Sequence, residues 1–68
     1  MKPYKINLIK FKEVIAKSGL KQKDLAAKLN INESLVSQHI NGKFRPSVSN
    51  LMAYSLVLNI PISELIGN

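Results

Sequence analysis

Residues 22–42 read QKDLAAKLNINESLVSQHING, and the punctuation inside this stretch decides the fold. Leu25, Ala26 and Leu29 recur at helical spacing, which predicts a helix over residues 22–29 with one apolar face. Asn30-Ile31-Asn32 breaks it. Asparagine tolerates the left-handed conformation better than most residues, so Asn30 can end a helix; the Asn32 side chain can cap the next one. A further helix is predicted from about Glu33 to Ile40, with Val36 and Ile40 one turn apart and Asn41-Gly42 as its stop.

Outward from this pair the helical period continues. Asn7 can cap a first helix whose Leu8, Phe11, Val14 and Ile15 form a stripe, and Gly19 ends it. Lys43 to Pro46 read as a loop, Ser47 caps a fourth helix to Leu58, and Asn59 stops that helix. Pro61 opens a last turn with Ile62 and Leu65, since proline suits the first helical turn. Residues 1–6, with Lys2 and Lys5, form an arm that either follows a groove or is disordered, as termini commonly are. No strand, internal repeat or linker is legible. The expectation is an all-α, compact five-helix domain spanning residues 1–68, with a helix-turn-helix over about residues 22–40.

Composition narrows the function. A chain of 68 residues buries only about 60% of the surface its unfolded form exposes, so one continuous core is all it can build. Without cysteine there is no disulfide, thiolate zinc site or thiol nucleophile. His39 is the lone histidine beside four acidic residues, a poor ligand set, so no metal and no cofactor is expected. No nucleophile–base constellation suggests an enzyme. The absence of an apolar run near ~20 residues argues against a membrane span, and cytoplasm is the expected compartment. The net charge of +6 suits a polyanion, although small basic domains are often simply soluble.

GLKQKDLAAKLNINESLVSQHINGKFRPS, followed by SNLMAYSLVLNIPISELI, resembles the Cro and C1 repressor type of helix-turn-helix. The resemblance covers residues 8–66. It rests on the joint spacing of Gly19, Leu20, Gln22, Leu25-Ala26, Val36-Ser37, Asn41-Gly42-Lys43, Pro46 and the later leucines Leu51, Leu58 and Leu65. It implies a lambda-repressor-like fold and a regulator that binds double-stranded DNA. It also implies that Gln22 and Asn41 touch the sugar-phosphate backbone.

A recognition helix lies in the major groove, so its outward residues should be polar, short or amide-bearing. Glu33, Ser34, Ser37 and Gln38 fit that description and are the expected base contacts. Gln38 can pair bidentately with adenine N6 and N7. Glu33 has two readings of equal weight: acceptor from cytosine N4, or partner of the positive helix N-terminus. For the serines and Gln38 the plain alternative is a solvated helix face. Lys43 and Arg45 in the next loop, and Lys21 before the second helix, are expected at phosphates. Lys10, Lys12 and Lys17 are expected to supply only long-range field. Leu35 either packs in the seam between the helices or meets a thymine methyl, packing being the plainer reading.

Three departures from the family stand out. An arginine in its first helix commonly pairs with a glutamate before Asn-Gly; by alignment these are Ile15 and Ile40 here, both apolar. Lys21 replaces the usual Ser or Thr cap, weakening that helix start by roughly 1 kcal/mol. His39 stands where the family has an apolar or aromatic residue, so it is expected to pack at the edge of the helix pair. Met52, Ala53 and Leu56 make a helix-spaced apolar strip, the expected surface of a weak homodimer that can form on the operator. Either the chain dimerises through its last two helices, or it is the DNA-binding part of something larger. The alternative function is the same fold as a protein-interaction module, such as an antitoxin or accessory subunit.

Overall fold

Each helix begins and ends where a nearby side chain or a permissive backbone satisfies the free peptide groups. The computed structural model describes residues 4–67. Helix α1 (Leu8–Ser18) starts at Asn7, whose side chain accepts from the Lys10 N–H at 3.1 Å, and stops at Gly19 with φ of 75°. Helix α2 (Gln22–Leu29) begins at Lys21, which has no acceptor to offer. The Asp24 carboxylate instead accepts from the Lys21 N–H at 3.0 Å. That bond is one half of a capping box, and it offsets part of the weak start expected from the lysine. Asn30 ends α2 in the left-handed region at φ 56°. Two residues on, Asn32 caps α3 (Glu33–Ile40) by accepting from the Ser34 N–H at 2.7 Å. Ser47 caps α4 (Val48–Leu58), and Asn59 ends it at φ 54°. Pro61 is the cap of α5 (Ile62–Leu65) and not its first residue: its φ of −60° suits either position, but its ψ of 141° is extended.

The five helices enclose two joined clusters of buried side chains. Phe11, Leu29, Leu51, Tyr54 and Leu65 form one; Leu25, Ala26 and Val36 form the other. Ile15 and Ile40 pack against both, as do Ile31, Val57 and Leu58. These two isoleucines are therefore part of the cement between the helix-turn-helix and the rest. Phe11 and Tyr54 meet edge to face at 4.9 Å between ring centroids, a geometry the ring quadrupoles favour.

The arm differs from the expectation. Residues 1–3, including Lys2, lie outside the described residues, but Tyr4 and Ile6 pack against the core. Ile6 pairs antiparallel with Ile66, the Asn7 N–H donates to the Leu65 carbonyl at 2.9 Å, and the Gly67 N–H donates to the Lys5 carbonyl at 3.0 Å. The two ends of the fold hold each other through backbone bonds that single-residue propensities cannot reveal. Among the described residues no helix is long and apolar enough to cross a membrane.

Candidate nucleic-acid interface

Helix α3 has two unlike faces. Val36 is fully buried, His39 is 2% exposed and Ile40 is half-buried. Glu33 and Ser34 are exposed, while Ser37 and Gln38 are half-buried on the same outer side, one turn later. The buried residues anchor the helix, and the polar set is left to face outward. All four expected base-contact residues thus share one face. Asn41, exposed, donates from Nδ2 to Ser37 Oγ at 3.3 Å, so the residue expected at the backbone is tied to one expected at a base.

The turn beyond α3 is held against α1. Gly42 has φ of 77°, and a Cβ there would lie 2.6 Å from Leu8 Cδ1. The chain then presents Lys43, Phe44 and Arg45, all exposed. Arg45 is not a loose surface cation. Its guanidinium lies 4.5 Å over the Tyr4 ring centroid and donates to the Tyr4 carbonyl at 2.8 Å, while the Tyr4 hydroxyl donates to the Pro46 carbonyl. Tyr4 is thus a supporting residue that no sequence pattern pointed to. It lies 41 positions away from the arginine it orients.

Charge is distributed unevenly. Lys10 lies near Glu13 and Glu64 at 3.7 and 3.5 Å, and Lys17 near Glu13 at 3.7 Å. Two of the four acidic residues therefore damp two of the three lysines of α1, Lys10 and Lys17, and Asp24 is spent on a cap. The side chains of Lys21, Lys23, Lys28, Lys43 and Arg45 make no ion pair among the described residues, nor do those of Lys5 and Lys12. Lys21, Lys23 and Lys28 lie at or within the helix-turn-helix and Lys43 and Arg45 follow it, so most of the unpaired cations belong to that stretch of the chain. Gln22, half-buried, opens α2 there.

His39 corrects the expectation of an edge position. Its ring is buried beneath α3, with Nδ1 2.9 Å from the Tyr54 hydroxyl and the rings edge to face at 5.7 Å. Burial holds its pKa below 6.5, and pushes Tyr54 up to about 12. Both stay neutral near pH 7. Among the described residues no group of acidic, histidine or cysteine side chains could hold a metal.

The strip on α4 also differs in detail. Ala53 packs against the core, so it contributes little outer surface. The exposed apolar residues are Val48, Met52 and Leu56, at 60%, 53% and 82% exposure, one turn apart along a single face.

A capped helix pair, polar on the outer face of its second member and flanked by unpaired cations, defines a DNA-binding regulator of the helix-turn-helix class. The chain belongs to the helix-turn-helix family, whose model matches residues 11–65. It is also similar in structure to the restriction-modification controller protein C.AhdI from Aeromonas hydrophila. The TM-score is 0.74 at 27% identity, over 85% of this chain and 94% of that one. No curated protein matches the chain.

Proposed function

We propose that the protein reads a specific duplex sequence through α3 and acts as a Cro- or repressor-like regulator at an operator. The observation that carries this reading is the outer face of α3: Glu33, Ser34, Ser37 and Gln38 lie together on a helix whose opposite side is fastened to the core. Lys21 and Gln22 at the start of α2, and Asn41, Lys43 and Arg45 after α3, would hold phosphates. The similarity to a controller protein supports a regulatory role.

A paired measurement tests the assignment. Gln38→Ala should cost about 1–3 kcal/mol at one base pair of the selected site and leave binding to unrelated duplex nearly unchanged. Lys43→Ala should weaken both duplexes alike and reduce the salt slope by about one contact's share. Gel shifts across a salt series, on a site selected from random duplexes, give both numbers. Equal weakening of specific and random DNA by Gln38→Ala would remove that side chain from base readout.

The strip on α4 supports a second element, a weak symmetric dimer through Val48, Met52 and Leu56. One module offers DNA only about 600–1,000 Å², whereas two on half-sites about one helical turn apart double the contacts. Leu56→Lys should abolish cooperative operator binding while the monomer stays folded and keeps its non-specific binding. The same strip would serve the alternative reading, a protein-interaction module in which DNA contact is secondary. That reading is favoured if generic duplex shows no salt-sensitive binding at all.

A further inference from the structure

Beside the recognition helix, α1, the chain leading into it and the loop after α3 enclose an open groove of about 310 Å³. His39 forms part of its floor, Tyr4, Leu8 and Phe44 its apolar walls, and Lys5 and Arg45 its cations. Among the described residues no carboxylate lines it. The volume lies at the lower end of small-molecule sites, enough for one ring and its substituent.

The floor supplies a directed donor. The Tyr54 hydroxyl is fully buried, and its hydrogen bond among the described residues is to His39 Nδ1. If Nδ1 carried the proton, the hydroxyl hydrogen would be buried without an acceptor. The favoured arrangement is therefore Tyr54 donating to a bare Nδ1, which places the imidazole proton on Nε2. Nε2 has no partner among the described residues, yet no buried side-chain nitrogen or oxygen there is left unsatisfied. His39 lines the groove, and with Nδ1 engaged by Tyr54, Nε2 is the ring nitrogen left to offer a ligand. A neutral N–H at the floor and two cations, between aromatic walls, match one chemistry: a flat ring bearing a carboxylate.

We propose that this groove binds a small planar aromatic carboxylate, with His39 Nε2–H, Lys5 and Arg45 donating to the carboxylate and the exposed Phe44 stacking against the ring. The groove wall from Gly42 to Arg45 is also the exit from the recognition helix. Because Arg45 is also proposed to hold a phosphate, a carboxylate bound here and DNA would compete for it, a consequence that rests on the proposed function. Ligand binding itself needs no DNA, so it stands or falls separately from sequence reading.

Benzoate is the probe. Titrated at constant ionic strength into the 15N-labelled protein without DNA, it should give saturable shifts at the Leu8, Gly42 and Phe44 amides and at His39 Nε2. Phe44→Ala and Lys5→Ala change exposed residues and should keep the fold. Each should weaken benzoate about tenfold, the scale of one lost charge-assisted or stacking contact. Inorganic phosphate and cyclohexanecarboxylate should bind at least several-fold more weakly. Phosphate equal to benzoate, with no effect of Phe44→Ala, would mean a general anion site for a nucleic-acid backbone and would overturn the proposal. So would shifts that never saturate, or a His39 whose side-chain proton resonates on Nδ1.

Discussion

Ile40→Glu is expected to lower stability by about 3–5 kcal/mol, because it places a carboxylate against both core clusters without a partner. A domain of this size has a total stability of roughly 3–10 kcal/mol, so the loss is a large fraction of it and should lower the melting temperature markedly. Adding Ile15→Arg should recover much of the loss. Ile15 packs against the same two clusters, and the double variant recreates the charged pair that the Cro and C1 type commonly carries. The apolar pair found here is an equally consistent solution, since removing both charges together strands neither. Thermal melts of the two single variants and the double variant give the coupling. If the two losses simply add, the side chains do not interact.

Tyr54→Ala is expected to cost about 3–5 kcal/mol, the usual range for truncating a buried aromatic. It removes the edge partner of Phe11 and strands His39. Tyr54→Phe separates the two effects: it keeps the ring stack, loses only the hydroxyl, and should cost about 1–3 kcal/mol from the unsatisfied imidazole nitrogen. The same pair sets a pH dependence. The folded protein holds the His39 pKa below 6.5, so the neutral form is favoured on folding. The unfolded chain then binds the extra proton first as pH falls. Stability should be complete above about pH 6.5, decline below it, and level off once the folded-state pKa is passed. Urea melts at a series of pH values should show this slope in the parent protein and lose it in His39→Gln. An unchanged slope in that variant would assign the dependence to other groups.

Most of the fold was legible in the sequence because its boundaries are local. Asn7, Asn32 and Ser47 each accept from an N–H two or three residues along, and Gly19, Asn30 and Asn59 each adopt a left-handed backbone conformation. Such events involve neighbours in the chain, so residue type and spacing determine them. The polar outer face of α3 obeys the same logic, since a helix that buries Val36 and His39 must turn Ser34 and Gln38 the other way. Distant contacts were a different matter. His39 looked like an edge residue until Tyr54, 15 positions on, closed over its nitrogen. Arg45 looked like a free cation until Tyr4 lay beneath it. The arm looked unattached until Ile6 met Ile66, and Ala53 belonged to the apolar strip until the core claimed it and left Val48 outside. In each case the partner is fixed by how the helices pack, and a period of 3.6 residues carries no information about which face of another helix will arrive.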